Sequence, residues 1–381
     1  MINVDAATAA WLARIPAAQR LDAQAFSDWR LTAWTVGELA VIAACALMVR
    51  SGVLGRWRRA LEAERPRPWL ASAASAGLLA LVLASLEAVL QAITSWRGQE
   101  IQTHQAQNLL AALAGTAGAI APEVIAGVLL LPVALWLMRR LPRTWPLVVG
   151  TAITGLIVLA VWLPYVLSLG PPMTPAPPGP VRDGLVRLIA ETGIPAHEVY
   201  YATDPAFDAD VNGGFGQAKV SVGPLMAAAP PAESRAFVGH IMGHYAHNDI
   251  LIYSLVLGLV MALGCFAVNW WAAPLARWLG ARGAASAAEP EALPAAAIVF
   301  LLAMVCAGLA GTGYLRWANV RADAYSLEHA REPDGLVAAI EGEWNHESVD
   351  PSPLEEALFY THPAMTGRIR HALAWKAARG G

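Results

Sequence analysis

The sequence predicts an α-helical multi-pass membrane protein with about six spans and an attached α+β domain. Of its 381 residues, 56% are hydrophobic and only 14% are charged, whereas soluble domains carry about 25% charged residues. The apolar residues also form runs long enough for a helix of about 20 residues to cross a bilayer. These observations exclude an ordinary soluble protein and predict that a lipid bilayer surrounds much of the chain.

Six apolar stretches supply the expected spans. Their approximate limits are Ala33–Leu54, Trp69–Thr94, Asn108–Met138, Trp145–Leu169, Ile250–Trp271 and Ala295–Leu315. The third stretch is long and carries Pro122 and Glu123. Because proline is a common cause of helix kinks, we expect this span to kink there or to begin as an interfacial segment.

Polar segments alternate with these spans and define the expected organisation. We expect an amphipathic segment at residues 1–32, a four-span region at 33–170, a polar segment at 171–249 opened by the proline-rich linker Pro171–Pro180, a two-span hairpin at 250–315 and a second polar segment at 316–381. Each polar segment is too short for a sizeable core of its own. The two segments are therefore expected to join into one domain.

The first polar segment has mixed secondary-structure signals. Short strands are indicated at Val199–Ala202 and Ala218–Val222, with turn residues between them. Helical spacing of apolar residues occurs over Val181–Thr192 and from Ala232 to beyond Ile250. This mixture predicts an α+β arrangement.

The charge balance argues against nucleic acid as a partner. The net charge is −3, and nucleic-acid binding requires a concentrated basic face. Only Lys219 and Lys376 among the 26 basic residues are lysines. The bias toward arginine and alanine is typical of a high-GC bacterial gene, so we expect a bacterial inner (cytoplasmic) membrane.

His240 and His244 are the first candidate metal ligands. Their spacing of four residues on a predicted helix places both imidazoles on one face, as two zinc ligands require. The chain has nine histidines, so on spacing alone an ordinary pair of surface or core histidines is the favoured interpretation. His247 lies one turn further on, too far from His240 to share a tetrahedral ion.

The surrounding segments instead favour the interpretation of His240 and His244 as metal ligands. Phe237–Tyr245 resembles the zinc-binding helix of the CAAX prenyl protease (type I) family of integral-membrane zinc metallopeptidases. Three further segments resemble that family in the same order: Asp210–Val222 its asparagine-containing hairpin, Asn319–Asp323 its Glu-x-x-Ala-Asp helix, and Thr361–Ile369 its Thr-His-Pro…Arg-Ile segment. The resemblance implies a zincin-like α+β metallopeptidase domain, zinc as cofactor, and membrane-associated peptides or proteins as partners.

The resemblance also implies roles for individual residues. His240 and His244 would bind the metal, Asn319 would occupy the position of the third ligand, and Asp323 would support a metal-binding histidine.

Three more residues are implied to face the substrate. His362 and Arg368 would orient it or stabilise the developing oxyanion as catalytic groups. Asn212 would lie on an edge strand that holds a substrate peptide by β-augmentation.

Two departures from the family pattern fall at its chemical centre. The family helix reads His-Glu-x-x-His, and its glutamate is the general base; this chain has Ile241 there. The family's third ligand is a glutamate, and this chain has Asn319, whose neutral amide oxygen is a weaker zinc ligand than a carboxylate. We therefore expect a divergent, catalytically impaired metallopeptidase homologue, a pseudoenzyme.

Two alternatives stay open. The chain could be an active zinc metalloendopeptidase that uses a different base. It could also be a non-enzymatic membrane carrier or scaffold, in which the ionisable residues Glu38, Glu87 and Glu123 in or near the spans matter most. The side of the membrane that holds the polar domain is also open, because arginine-rich loops after the first and third spans place it outside, whereas eukaryotic family members face it to the cytosol.

Overall fold

The computed structural model describes residues 2–169, 173–214, 216–281, 283–342, 344 and 347–380. Residues 171 and 172, at the start of the expected linker, lie outside this range. The helices are α1 (Val4–Leu12), α2 (Ala17–Ser51), α3 (Val53–Leu61), α4 (Pro68–Thr103), α5 (Leu109–Ala117), α6 (Ile120–Arg140), α7 (Trp145–Ile157), α8 (Leu163–Val166), α9 (Pro180–Thr192), α10 (Pro224–Ala228), α11 (Pro231–Ala246), α12 (Asp249–Trp278), α13 (Leu293–His329), α14 (Pro333–Gly342), α15 (Pro353–Phe359) and α16 (Met365–Ala378). A π-helical turn, Val158–Trp162, joins α7 to α8, and a 3-10 turn, Pro290–Ala292, precedes α13.

Within the described residues, six helical segments are long and apolar enough to cross a membrane. They are Ala17–Ser51, Pro68–Thr103, Leu109–Arg140, Trp145–Val166, Asp249–Trp278 and Pro290–His329. The predicted multi-pass helical class with six spans is therefore confirmed, and the chain is an integral membrane protein. Most of these helices extend beyond the apolar stretches, because polar residues continue the same helix past the run that marks it in the sequence.

The third span breaks, but not at the expected residue. Helix α5 ends at Ala117 and α6 begins at Ile120, so the break lies at residues 118–119. Pro122 falls in the first turn of α6, where the missing N–H group has no helical acceptor and proline is tolerated. The long third stretch is thus interrupted just before Pro122 and Glu123, and α6 continues through both residues.

The chain forms two compact units. The sheet unit consists of Met1–Gln24, Gly155–Leu257 and Gly308–Gly381, and the helical unit consists of Ala25–Thr154 and Gly258–Ala307. In the helical unit the core depends on small residues. At Gly150 an added Cβ would lie only 2.7 Å from the Cβ of Ala262, so α7 and α12 touch backbone to backbone.

A four-stranded sheet lies in the described part of the sheet unit. Its strands are β1 (Met173–Pro175), β2 (Ala196–Ala202), β3 (Ala209–Asn212) and β4 (Ala218–Val222), in the spatial order β1-β2-β4-β3. β2 and β4 are parallel, whereas β1–β2 and β3–β4 are antiparallel. Strand β3 is thus an edge strand. The core beside the sheet includes Leu185, Leu188, Val199, Val211, Val220, Val238 and Met242.

Two glycines on α11 allow it to approach α13 closely. A Cβ at Gly239 would lie 3.1 Å from the Oγ of Ser326, and one at Gly243 would lie 2.9 Å from the Cα of Ala322. The Ser326 hydroxyl donates a hydrogen bond of 2.6 Å to the carbonyl of Ala236. Glycines four residues apart permit this kind of backbone contact, and the contact brings the side chains of α13 within reach of those of α11.

The chain turns sharply between α11 and α12. The sequence predicts one helix from Ala232 to beyond Ile250, but α11 ends at Ala246 and α12 begins at Asp249. Asn248 adopts a left-handed conformation with φ of 55°, which asparagine tolerates better than most residues. The turn directs the first residue of α12 back toward α11.

We expect Gly243→Ala to destabilise the protein by about 1–3 kcal/mol, the usual cost of overpacking. The new methyl group would meet the Cα of Ala322 at 2.9 Å, and a backbone atom cannot move aside. Thermal unfolding in detergent measures the effect.

Gly367→Ala is the matched control, because no described heavy atom lies within 4 Å of a Cβ at this position on α16. Equal melting temperatures for the two variants would contradict the proposed tight contact.

Candidate metal centre

Helix α11 brings two imidazoles together. The ring centroids of His240 and His244 are 4.8 Å apart and the rings are nearly perpendicular, at 83°. Their Nε2 atoms are 3.1 Å apart. The spacing of four residues thus places both rings on one face of the helix, as the sequence predicts.

A carboxylate lies behind each imidazole. His240 Nδ1 is 2.7 Å from Asp323 Oδ1, and His244 Nδ1 is 2.8 Å from Asp249 Oδ2. An ionised carboxylate only accepts hydrogen bonds, so both Nδ1 atoms are the donors. In the neutral rings, both Nε2 atoms consequently carry lone pairs, which point toward the same space.

Asn319 adds a third acceptor at this place. Its Nδ2 donates to the carbonyls of Leu315 and Thr361, at 2.9 and 3.0 Å. These two bonds determine the orientation of the amide, so its Oδ1 faces His244 Nε2 at 3.2 Å. An oxygen and two nitrogens, all of them acceptors, therefore converge.

Each supporting carboxylate is itself held by cations or donors. Arg368 donates through Nε and Nη2 to the two oxygens of Asp323, both at 2.8 Å. Asp249 accepts a 2.8 Å hydrogen bond from the Tyr314 hydroxyl and pairs with Arg321. Both carboxylates are nearly inaccessible, with 3% exposure each. They are therefore ionised, fixed and turned away from the converging acceptors.

Burial opposes protonation of the His240 imidazole. His240 is 3% exposed, and burial lowers the pKa of its imidazole, with Arg368 and His244 lowering it further despite the opposing effect of Asp323. The ring is therefore neutral at neutral pH. A cation is the species that three facing lone pairs accommodate.

The three acceptors fit a zinc ion in spacing but not in charge. Two ligands at about 2.0–2.1 Å from a tetrahedral zinc lie about 3.3 Å apart, close to the 3.1 and 3.2 Å separations found here. Among the described residues, however, no group of three or more His, Cys, Asp or Glu side chains is arranged to hold a metal. The third of the converging atoms is the amide oxygen of Asn319, and the set of three carries no negative charge.

Ile241 lies between the histidines in sequence and faces the apolar core. It is partly buried and packs against the cluster formed by the sheet, α9 and α11. Its side chain has no proton-accepting atom. The helix therefore presents no base at the position next to His240.

His362 lies beside the histidine pair. Its ring stacks on that of His240 with centroids 6.1 Å apart, and its Nδ1 is 3.3 Å from the Thr361 hydroxyl. Burial, with the nearby charge of Arg368, lowers the pKa of His362 to about 3. The ring is consequently neutral, whereas Arg368 itself faces Asp323.

Asn212 lies at the end of the edge strand β3 and is 4% exposed. Its Nδ2 donates to Asp210 Oδ2 at 2.6 Å, while its Oδ1 has no partner among the described residues. Burial raises the pKa of Asp210, although the bonds from Asn212 and Val211 oppose that shift. The strand thus carries a buried acceptor and a carboxyl group that ionises with difficulty.

Sequence reasoning missed three residues of the centre: Asp249, Tyr314 and Arg321. Asp249 was the one with a detectable signal, because an ionisable residue opens an apolar span there. Its partners on α13 become visible only when the fold is known. His247 is turned away, with its Nδ1 donating to the Gly243 carbonyl at 2.7 Å.

The profile of peptidase family M48 matches residues 176–376, more than half of the chain. The chain belongs to peptidase family M48. The match includes the histidine pair, both supporting carboxylates, Asn319 and the segment with His362 and Arg368.

Several proteins described as protease HtpX homologues are similar to this M48 chain. The one from Streptococcus thermophilus (strain ATCC BAA-250 / LMG 18311) is 27% identical over 199 residues, which cover 46% of this chain and 67% of the relative. The one from Levilactobacillus brevis is 28% identical over 206 residues, covering 48% and 68%. The chain thus spans about two thirds of the length of these relatives. A crystal structure of Ste24p from S. mikatae matches 88% of this chain and 98% of that chain, with a TM-score of 0.49 and 13% identity.

We expect Asp249→Asn to lower zinc affinity about 10–100-fold, as loss of a carboxylate behind a histidine ligand generally does. The amide no longer compels His244 to protonate at Nδ1, so the lone pair at Nε2 is no longer secured. Competition with a chromogenic chelator measures the affinity. Asp334→Asn removes an equal charge at an ion pair with Lys376 on the surface, and equal affinities for the two variants would refute the role of Asp249.

We expect Asp210→Asn to raise the melting temperature at neutral pH. The folded-state pKa of Asp210 is raised, so its stabilising contribution is present at low pH, where it is protonated, and is lost as pH rises through that pKa. Asparagine mimics the protonated form, and its advantage should disappear near pH 4, which is close to the usual carboxyl pKa.

Melting curves at both pH values provide the measurement. The exposed Asp208→Asn serves as control, and a pH-independent gain for Asp210→Asn would contradict the expectation.

Proposed function

We propose that this M48 chain is a divergent, membrane-embedded metallopeptidase homologue of the CAAX prenyl protease type that retains a weakened zinc site and has lost most peptidase activity. The observation that carries the proposal is the combination of three converging acceptors with an isoleucine where the base belongs. In this proposal the protein still binds membrane-associated peptides.

The missing base accounts for the expected loss of activity. A general base must lie within about 2.6–3.2 Å of the proton that it removes and contributes about 10²–10⁴-fold to the rate. Ile241 cannot accept a proton. Asp249 and Asp323 are bound to the Nδ1 sides of the imidazoles, so neither replaces the missing glutamate.

His240, His244 and Asn319 would hold the metal. When bound, zinc supplies Lewis-acid polarisation of a peptide carbonyl. The chain's own contribution is to keep both Nε2 lone pairs available through the two carboxylates. Because all three donors are neutral, we expect weaker binding than for a site with a carboxylate ligand.

His362 and Arg368 take different parts in this proposal. His362, neutral and stacked beside His240, is the group available to donate a hydrogen bond to a bound peptide. Arg368 is a positioning residue, supported by its two bonds to Asp323. It keeps that carboxylate ionised and aimed at His240.

A peptide is proposed to add to the edge of the sheet. Strand β3 is an edge strand of the described sheet, and an extended peptide can pair with such an edge. The Tyr165 hydroxyl donates to the Val211 carbonyl of this strand, so a bound peptide would compete with Tyr165. The Oδ1 of Asn212 is buried and has no partner among the described residues, so a peptide N–H group would reach it only after the side chain turns outward. Residues 171–249 and 316–381 are proposed as the two parts of this metallopeptidase-like domain, in a bacterial inner membrane.

We expect the purified protein to bind zinc through the histidine pair. Metal analysis should find zinc in the unmodified chain and none in His240→Ala. His247→Ala, on the same helix but turned to the Gly243 carbonyl, should keep its metal. Loss of zinc in neither variant, or equally in both, would argue against this site.

We expect no chelator-sensitive hydrolysis of peptides by the unmodified chain. Ile241→Glu together with Asn319→Glu restores a base and an anionic ligand, and hydrolysis should rise by about 10²-fold or more. After the reaction with a membrane-associated peptide is quenched, chromatography measures the product. Hydrolysis by the unmodified chain that a chelator abolishes would instead favour an active enzyme with another base.

A further inference from the structure

A partly buried ion-pair cluster lies in the helical unit, far along the chain from the histidines. Arg58 on α3 pairs through Nη1 with Glu289 at 2.5 Å and through Nη2 with Glu291 Oε1 at 3.0 Å. Glu291 is 8% exposed. Its second oxygen, Oε2, is buried and has no hydrogen-bond partner among the described residues. Such an oxygen is costly unless a donor reaches it.

A cavity of about 210 Å3 adjoins this carboxylate. Two glycines keep the space beside it open. A Cβ at Gly55 would lie 3.3 Å from Glu291 Oε1, and a Cβ at Gly283 would lie 3.1 Å from the same atom. Side chains at these positions would crowd the carboxylate.

Arg59 supplies a cation at the same cavity. A Cβ at Gly55 would lie 3.4 Å from Arg59 Nη1, so the guanidinium and the carboxylate of Glu291 flank one spot. Within the described residues Arg59 forms no ion pair, whereas its neighbour Arg58 forms two. The cavity is therefore lined by a carboxylate that pairs with Arg58 through one oxygen and by a guanidinium that forms no ion pair among the described residues.

The cavity lies where three membrane spans end. Helix α2 ends at Ser51, α12 ends at Trp278 and α13 begins at Leu293. Trp57 and Trp278 are 45% and 81% exposed, and tryptophan is enriched at the membrane–water interface. This end of the helical unit is thus at the level of the lipid headgroups.

We propose that this cavity binds the headgroup of a phospholipid that carries a primary ammonium and a phosphate, as in phosphatidylethanolamine. The ammonium donates to the carboxylate of Glu291, and the phosphate accepts from the guanidinium of Arg59. Arg58, Arg59, Glu289 and Glu291 have no net charge together, which suits a zwitterionic ligand better than an anionic one.

Native mass spectrometry with defined lipids tests the proposal. Phosphatidylethanolamine should be retained about tenfold better than phosphatidylcholine, whose quaternary ammonium has no N–H group, and better than phosphatidylglycerol, which has no ammonium. Loss of one charge-assisted hydrogen bond accounts for a factor of this size. Equal retention of the three lipids would overturn the proposal.

Two variants separate the two contacts. Glu291→Gln should abolish the preference for ethanolamine over choline, and the Arg58–Glu289 pair remains to keep the fold. Arg59→Gln should weaken the binding of phosphatidylethanolamine and phosphatidylcholine about equally, because the phosphate contact is lost. Arg65→Gln replaces an exposed arginine that follows α3 and should change the binding of neither lipid. A preference unchanged in Glu291→Gln would refute the ammonium contact.

The remaining controls concern folding and the source of the ligand. If Glu291→Gln fails to fold, the comparison of Arg59→Gln with Arg65→Gln decides, and equal lipid retention by these two refutes the site. Soluble phosphoethanolamine that displaced the lipid at equal concentration would refute the membrane source. Displacement of the lipid only by a large excess of phosphoethanolamine supports the membrane source.

Discussion

The centre depends on one constraint: each histidine of α11 has a carboxylate on its Nδ1 atom. This arrangement determines the tautomer of both rings, and the tautomer in turn leaves two nitrogen lone pairs facing each other at 3.1 Å. Without a cation, such a contact is unfavourable. Burial of the two carboxylates would also be energetically costly without Arg368 and Arg321. The two ion pairs therefore stabilise the carboxylates that orient the imidazoles. The carboxylates and their arginine partners together orient the acceptor atoms of the centre.

In the proposed function, the same constraint separates metal binding from hydrolysis. Orientation of the ligands comes from α12 and α13, through Asp249 and Asp323. The base of a family enzyme comes from α11 itself, from the residue next to the first histidine. In the proposed function, Ile241 at that position cannot transfer a proton, while the hydrogen bonds that orient both rings are present.

Much of the fold could be predicted from the sequence, because hydropathy and helical spacing act locally. The six spans, the strands β2 and β4 and the helix carrying His240 and His244 follow from such patterns. The break at Asn248 was not predictable, since nothing in the local spacing interrupts the helix there. Asp249 was missed for the same reason: in a continuous helix it would point away from His244. The ion pair between Glu291 and Arg58 was also not predictable, because the two residues lie more than 200 positions apart in the chain.

The left-handed residue Asn248 has a mechanical consequence. The carboxylate that orients His244 belongs to a helix that crosses the bilayer, whereas the imidazole belongs to the helix before the turn. Asp323, which orients His240, lies on α13, and α12 and α13 both belong to candidate membrane spans. The orientation of both imidazoles is therefore tied to helices that enter the bilayer.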